Sequence, residues 1–518
     1  GPFSLTGQPN AMGGREVGGL ANQLSAHRDL ADPAQRAEMA RFWGVPSVPA
    51  TPGKSAVDLF RSLKSGEIKA VWIACTNPAQ SLPNQAEVRE ALRCAEYVVL
   101  QEAYANTDTA GFADLLLPAS TWGEKYGTVT NSERCITRVM PAVPPPGSAR
   151  HDWQIVVDFA RRLGRRLDHG AADRLFPYES AEQIFDEHRA TTRGRDLDIT
   201  GLSYALLERD GPQQWPFPDG ATVGKVRLYE DGRYPTADGR ARFVPVEYKA
   251  TADVLSAEAP ISLLSGRMRD HWHGMSRTGT VPRLFNLEDE PLLAMHPCDM
   301  RHRGLASGDL ARVGNLRGEA VVRVVESEGL QRGRAWLPMH WGSQFMNTPG
   351  ANALASDATD PWSHQPELKH AAVQIERIDL PYPLAVIRRC VDQDEALALL
   401  QEVRVLLPAY PYATVGLYGR TSPLVVFRAA LSEPATAESI AALDSAFGLD
   451  RELGAIVYAD VTRKVDKKAV ADDGRLVGVR LAGETLAQSW LKQAMAEDEL
   501  DASLIRFALA PSARPPVS

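Results

Sequence analysis

The sequence predicts an α/β protein: a doubly wound domain, then a compact β-barrel, then a small α+β unit at the C-terminal end. Three observations predict it. Residues 55–165 alternate short apolar strands with amphipathic helices across short links, as a parallel sheet requires. Residues 260–380 alternate short strands with glycine turns, the pattern of a small barrel. Residues 385–518 mix helical stretches with a hairpin signal. A length of 518 residues suits about three domains at roughly 150 residues each. Hydrophobic residues at 44% and charged residues at 24% supply several cores and exclude collagen-like, low-complexity and disordered chains.

In order along the chain, Ser4–Arg15 carries Gly7, Gly13 and Gly14 and is predicted to be a tight loop, with Gly18-Gly19 prolonging the permissive backbone. A short helix follows at Pro33–Phe42. Strand Ala70–Cys75 ends at Thr76-Asn77-Pro78, and helix Pro83–Cys94 puts Val88, Ala91, Leu92 and Ala95 on one face. A second strand, Tyr97–Gln101, runs into Glu102-Ala103-Tyr104, and Leu115–Pro118 reads as a third. Helix Trp153–Leu167 is predicted to bury Trp153, Val156, Val157, Ala160 and Leu163. Residues 178–210 read as helical, followed by a loop broken by Pro212, Pro216, Pro218 and Gly220. The barrel strands are Ile261–Leu264, Leu310–Val313, Glu319–Val325, Arg334–Leu337 and Ala371–Ile375. Helices at 393–406 and near 437–447 come next. Asp472-Asp473-Gly474 turns a hairpin between Lys468–Ala471 and Leu476–Leu481, helix Thr485–Asp498 closes the unit, and Ala510–Pro516 reads as linker.

Lys+Arg 57 against Asp+Glu 65 leaves a net charge of −8, which argues against a general nucleic-acid binder. No apolar run approaches the roughly 18 residues of a membrane span, and no secretory signal is visible at the start. The chain begins Gly1-Pro2-Phe3, without methionine, so its first residue is not expected to be the natural N-terminus. Cys75, Cys94, Cys135, Cys298 and Cys390 are spaced by 19, 41, 163 and 92 residues. No pair has the short gap of a zinc or iron–sulfur site, and free thiols in a reducing cytoplasm are expected.

Several residues are candidates for chemistry. Gln8 and Arg15 flank the N-terminal glycines; an amide and a guanidinium fork suit an oxyanion, or they are a loop glutamine and a surface arginine. Asn77, Glu102, Lys125 and Asp152 lie at element ends in the α/β part, where such sheets bind ligands. A carboxylate there accepts paired donors from a guanine edge and a lysine meets a phosphate; alternatively Asn77 serves a turn, Asp152 a helix cap and Lys125 the surface. Ser265–Ser276 gathers Gly266, Arg267, Arg269, His271, Trp272, His273 and Gly274 just after a strand. Arginines and a glycine turn suit a diphosphate and the rings suit stacking on a heterocycle, against a packed aromatic turn as the plain alternative. His271 and His273 have no third ligand nearby, so no metal site is expected. Met339-His340-Trp341, Asn352 and Lys369-His370 close the barrel region as an aromatic cluster and a solvated charge. GxSxG, HExxH, Walker A and GxGxxG patterns do not occur, which weighs against serine hydrolases, zincins, P-loop enzymes and simple nicotinamide dehydrogenases.

The run Pro2–Gly18 resembles the bacterial assimilatory nitrate reductases, a branch of the molybdopterin oxidoreductases of dimethyl-sulfoxide-reductase type. Cys75–Pro78, Ala113–Ala119, Trp122–Thr128 and Asn131–Arg134 are similar to that family's pterin-binding α/β domain. His271–Gly274, His296-Pro297 with Gly308-Asp309, and Asn352–Leu354 through Gln365–Lys369 are similar to its C-terminal cofactor-capping barrel. The likeness covers about residues 1–380 and is vaguer over 385–518.

The resemblance implies a molybdopterin-binding α/β domain over 1–165, a remainder of the core over 166–258, a dinucleotide-binding barrel of double-psi type over 259–380 and a C-terminal extension over 385–518. It implies molybdenum held by two molybdopterin guanine dinucleotides, and reduction of nitrate to nitrite in the cytoplasm for assimilation. Electrons would come from a flavin/NADH reductase subunit or a ferredoxin, with no nucleic-acid or membrane partner. By the same resemblance, Gln8 and Arg15 would lie near the molybdenum and nitrate. Asn77, Gln101, Glu102, Lys125 and Asp152 would bind one dinucleotide, and Gly266, Arg267, His271, Trp272, His273, Met339, Asn352 and Lys369 would cap the pterins. The family's [4Fe–4S] cysteine motif and molybdenum-ligating cysteine have no counterpart here, so the chain is expected to be the C-terminal portion of such an enzyme and inactive alone. A formate dehydrogenase of the same superfamily and a non-catalytic pterin-binding scaffold are the alternatives.

Overall fold

A computed structural model describes residues 9–167, 170–450, 454–497 and 507–514. The N-terminal glycines within these residues do not make the predicted loop: Ala11–Glu16 is a short helix, α1. Tertiary contacts override the poor helix propensity of Gly13 and Gly14. The Asn10 side chain accepts the Thr130 N–H, and buried Glu16 accepts from Thr130 Oγ1 at 2.8 Å and Trp215 Nε1 at 2.6 Å. The second helix, α2 (Pro33–Trp43), starts with Pro33 after an Asp32 cap and ends at Gly44 in the left-handed region, as its sequence dictates.

The α/β part contains an unforeseen helix, α3 (Ala56–Lys64), then β1 (Ala70–Ala74), a single turn α4 (Pro78–Ser81), α5 (Gln85–Cys94), β2 (Tyr97–Glu102) and β3 (Leu115–Pro118). The three strands pair in parallel in the order β1-β2-β3. Alternation sends Val71 and Ile73 to one face, where Phe60 and Leu63 of α3 and Val88, Ala91 and Leu92 of α5 cover them. Trp72 points the other way and meets Phe159 of α6 (Asp152–Arg166) edge-on at 4.8 Å. The predicted inner face of α6 is wrong in part. Val156 and Leu163 are exposed; Ile155, Val157 and Gly164 are buried. An open cavity of about 370 Å³ lined by Trp72, Val99, Leu117, Ile155 and Phe159 lies between the sheet and the helix, so the apolar stripe is not fully packed down against it.

Strands β4 (Gly127–Thr130) and β5 (Cys135–Val139) form a hairpin, extended by the short β6 (Gln213–Gln214). The helical stretch expected over 178–210 is two helices, α7 (Ala181–Thr191) and α8 (Tyr204–Asp210). Asp198 accepts the N–H groups of Gly194 and Thr200 and holds a loop open between them.

The barrel closes. To the five expected strands, now β7 (Ile261–Gly266), β9 (Leu310–Asn315), β10 (Gly318–Glu326), β11 (Arg334–Pro338) and β12 (His370–Arg377), it adds a sixth, β8 (Leu292–Met295). The order around it is β8-β10-β9-β12-β7-β11. At four residues, β8 is too short to show alternation in sequence.

The C-terminal unit runs β13 (Tyr382–Arg389), α9 (Gln393–Val403), β14 (Tyr412–Tyr418), β15 (Leu424–Leu431), α10 (Ala437–Ala446), β16 (Ala455–Asp460), β17 (Val465–Asp472), β18 (Arg475–Ala482) and α11 (Gln488–Glu497). Its antiparallel sheet is ordered β14-β15-β13-β18-β17-β16, a split β-α-β arrangement with the β16–β17 hairpin added at one edge. The predicted turn has Asp473 and Gly474 at φ of 46° and 75°, which only a turn with two left-handed residues requires. One sheet face shares its core with α9, α10 and the barrel; α11, Ala508 and Leu509 cover the other. The segment read as linker is therefore docked at its start, and Ser512 O accepts the Trp490 indole N–H at 2.9 Å. Asp498 and Pro515-Pro516 lie outside the described residues.

Candidate functional site

Two loop systems, one at the carboxyl ends of β1 and β2 and one following β7, supply facing walls. On the first wall, Asp152 opens α6 and gathers three neighbours. Lys125 Nζ stands 2.7 Å from its Oδ2, Gln101 Nε2 donates at 2.8 Å to Oδ1, and the Cys75 thiol lies 3.5 Å from Oδ1. Burial works to raise the Asp152 carboxyl, but Lys125, Gln101 and Cys75 together outweigh it and hold the group below the usual carboxylate range. Burial followed by the Asp152 charge pushes the Cys75 thiol up to about 12, so it is no thiolate. Cys75 sits at φ 59°, a left-handed turn that aims β1 into the site. Glu102 is half-buried, and burial raises its carboxyl against the bonds from the Ala103 and Tyr104 N–H groups. The plain alternative of Asp152 as helix cap fails, because the N-cap is His151.

On the second wall, the loop after Gly266 bends back over the barrel mouth. His340, at the end of β11, organises it: its Nε2 accepts the Met268 N–H at 2.8 Å, so its Nδ1 carries the proton donated to His273 O at 2.7 Å. Arg267 and Arg277 approach the Trp272 ring at 5.0 and 5.7 Å, and His273 packs edge-on against it at 4.7 Å. Lys369 Nζ reaches Met339 Sδ at 3.5 Å. Burial, then the nearby charges, drops His271 and His273 to about 4, so both rings are neutral. Arg269 pairs with Asp270 at 3.1 Å, but the other cations of this wall, Arg267, Arg277 and Lys369, have no carboxylate partner within 4.0 Å among the described residues. Arg277 lies near enough to Glu102 and Tyr104 to act on both electrostatically, which joins the two walls.

Other predicted site residues have different work. The Asn77 side chain accepts from the Thr109 N–H and hydroxyl and donates to Asp108. Asn352 donates to Gln80 O and Ser81 O, pinning the barrel to the α/β part. His271 is buried among Phe285, His340 and Trp341 as a core ring. Gly266 is needed for room beside Trp336, since a Cβ there would lie 2.8 Å from the indole nitrogen. Gly274 likewise makes room for the buried Gln80 side chain, 1.8 Å from the position of a Cβ. Arg15 stands exposed on α1 with no partner among the described residues, and Gln8 lies outside them. Sequence reasoning missed Arg277 and Gln80, and read His340 only as a member of an aromatic cluster. Arg277, five residues past Trp272 in the same loop, was the one with a signal.

The donor set fits a guanine dinucleotide. Two carboxylates offer acceptors for a guanine N–H edge, three unpaired cations suit a diphosphate, and the buried Gln101 Oε1 has no partner. The five cysteines are all free, and no three His, Cys, Asp or Glu side chains converge among the described residues, so these residues do not fit an iron–sulfur cluster.

Comparison with known proteins bears on both walls. Residues 4–162 match the family model described as molybdopterin oxidoreductase, and residues 261–372 that of the molydopterin dinucleotide binding domain. The chain is 44% identical over 385 residues to a nitrate reductase of Klebsiella oxytoca, covering 72% of this chain and 43% of that protein. It is 33% identical over 375 residues to the assimilatory nitrate reductase catalytic subunit of Bacillus subtilis, covering 72% and 51%. It is also 32% identical over 375 residues to the F420-dependent formate dehydrogenase subunit alpha of Methanocaldococcus jannaschii, covering 72% and 52%. The chain spans about half the length of the curated relatives it matches.

Proposed function

The chain belongs to the molybdopterin oxidoreductases, and on that footing we propose that it is part of a molybdenum enzyme that reduces nitrate to nitrite for assimilation. The observation that carries this reading is the pair of facing walls. Glu102 and Asp152 lie in the segment matched to the oxidoreductase family, and Arg267, Arg277 and Lys369 in or beside the dinucleotide-binding motifs of the other.

The cofactor we propose is molybdenum carried by two molybdopterin guanine dinucleotides. When bound, it supplies the redox chemistry: nitrate gives up one oxygen, which leaves as water with two electrons and two protons. The chain's own residues bind and orient. Asp152, fixed by Lys125 and Gln101, and Glu102 accept the guanine N–H edge. Arg267, Arg277 and Lys369 take the diphosphate charge, and Trp272 with the neutral His273 ring closes over the dinucleotide. Neutral imidazoles suit that role, since they add no charge of their own and leave the cations free for phosphate. Arg15, exposed and unpaired among the described residues, and Gln8 are proposed to face the nitrate. In the same reading the sheet of β1–β3 is part of a doubly wound domain over 1–165, followed by a core remainder over 166–258, a double-psi barrel over 259–380 and an extension over 385–518. The electron donor is proposed to be a flavin/NADH reductase subunit or ferredoxin, and the free thiols support a cytoplasmic setting. No described helix is long and apolar enough to cross a membrane.

The experiment is genetic and enzymatic. Deleting the coding sequence in its host is expected to abolish growth on nitrate, but not on nitrite or ammonium, and to remove viologen-linked nitrate reduction from extracts. Normal growth on nitrate would sink the reading. The relative described as a formate dehydrogenase subunit favours a second one, in which the deletion removes formate oxidation instead.

A further inference from the structure

We propose that the crevice where the α/β part, the barrel and the C-terminal unit meet is a binding site for a small oxyanion, a phosphate or carboxylate group gripped by Arg404. The crevice is an open depression of about 510 Å³ lined by Arg89, Thr107, Asp108, Ser343, Gln401 and Arg404. What sets it off from the walls described above is Arg404, which follows α9 in the C-terminal unit that neither family match reaches, whereas Arg89, Asp108 and Ser343 lie within the matched segments.

Its charges are unevenly satisfied. Asp108 is saturated. Arg89 Nη2 lies 3.3 Å from its Oδ1, Asn77 and Gln344 each donate to Oδ2 at 3.3 Å, and the Ser343 hydroxyl donates to Oδ1. Arg89 is therefore matched by Asp108, and it also donates to Ala79 O and Ser343 Oγ. Arg404 is left over. Its guanidinium lies over the Phe345 ring at 5.0 Å, its Nε is buried without a partner, and it makes no hydrogen bond or ion pair among the described residues. Burial lowers it to about 10, with Asp108 offsetting only part of that cost. The Thr107 hydroxyl and Arg89 Nε are also buried and unpartnered. An unmatched guanidinium held flat by an aromatic ring, beside spare donors, offers the paired N–H geometry that a phosphate or carboxylate takes up. A bare cation in such surroundings is costly, so an anion that enters is bound and not merely attracted.

Calorimetric titration of the whole chain with inorganic phosphate and with acetate, in a chloride buffer of matched ionic strength, tests this. Saturable binding of at least one is expected, weakened at least tenfold by Arg404→Gln. Gln401 is exposed on α9, and Gln401→Glu should weaken binding as much by supplying the missing carboxylate from within, so the test stands even if Arg404→Gln folds poorly. Tighter binding of phosphate assigns the site to phosphorylated ligands, and tighter binding of acetate to carboxylates. The proposal is overturned if neither anion binds saturably, or if both variants bind like the parent.

Discussion

The facing walls and the junction between the barrel and the C-terminal unit contain the same residue types arranged to opposite ends. At the junction the cluster around Asp289 and Glu290 is matched charge for charge. Buried Arg428 of β15 and Lys492 of α11 both reach Asp289 Oδ2, and Glu290 takes the Tyr412 hydroxyl and lies 3.5 Å from Arg323. On the second wall Arg267, Arg277 and Lys369 stand without carboxylates. The walls also keep Cys75, His273 and Met275 at positive φ, whereas none of these junction residues is so strained. A matched cluster holds elements together; an unmatched and strained one holds readiness for an anion. The comparison can be broken at either end.

The largest effect is expected at the junction. Arg428 is held firmly charged: Asp289, then Glu290, outweigh the burial that opposes its charge. Arg428→Ala leaves Asp289 buried with Lys492 alone, and losing one partner of a buried pair costs roughly 3–5 kcal/mol. Lys492 should keep the loss near about 3 kcal/mol in urea unfolding. A loss under about 1 kcal/mol would mean that the cluster is hydrated and the contrast false.

The next effect depends on pH and comes from the walls. Burial holds His271 at about 4 in the folded chain, against 6.5 when unfolded. The unfolded chain therefore binds the proton first. The stability is fully present above pH 6.5 and is lost as pH falls from there towards 4, by roughly 3 kcal/mol for His271 at one pKa unit per 1.36 kcal/mol. His273 shifts in the same direction and contributes less, being only half-buried. Urea unfolding at pH 7.5, 6 and 5 should show this decline, and His271→Asn should flatten it. An unchanged slope in that variant would place the acid sensitivity elsewhere.

What the sequence made legible follows the same division. The parallel strands, five of six barrel strands and the Asp473-Gly474 turn were readable because each rests on a local pattern: alternation, periodicity or turn chemistry. Asp152 with Lys125 was readable as a pair of element ends, because α/β sheets concentrate ligands there. Gln80 was not, because its role comes from two glycines, 274 and 342, that lie next to it only after folding. Asn77 and Asn352 carried motif signals, yet Asn77 spends its amide on Thr109 and Asp108 of its own domain and Asn352 on pinning the barrel to the α/β part, demands that no short window of sequence contains. The helix α1 was hidden for the same reason, since Thr130 and Trp215 hold it from more than a hundred residues away.

The smallest expected change in stability is the sharpest test of the contrast. Arg267→Gln and Lys369→Gln remove cations that have no carboxylate to lose, and burial already lowers Lys369, with Arg267 adding repulsion. Folding should not miss them: each variant should unfold within about 0.5 kcal/mol of the parent, as surface changes do. Ligand binding should. With GDP as a guanine diphosphate probe, each substitution should weaken binding about tenfold, or about 1.4 kcal/mol, by removing one phosphate contact. The opposite pattern, stability lost and GDP binding kept, would make these cations part of the scaffold. The second wall would then be a second junction, and the distinction between matched and unmatched charge would no longer mark the site.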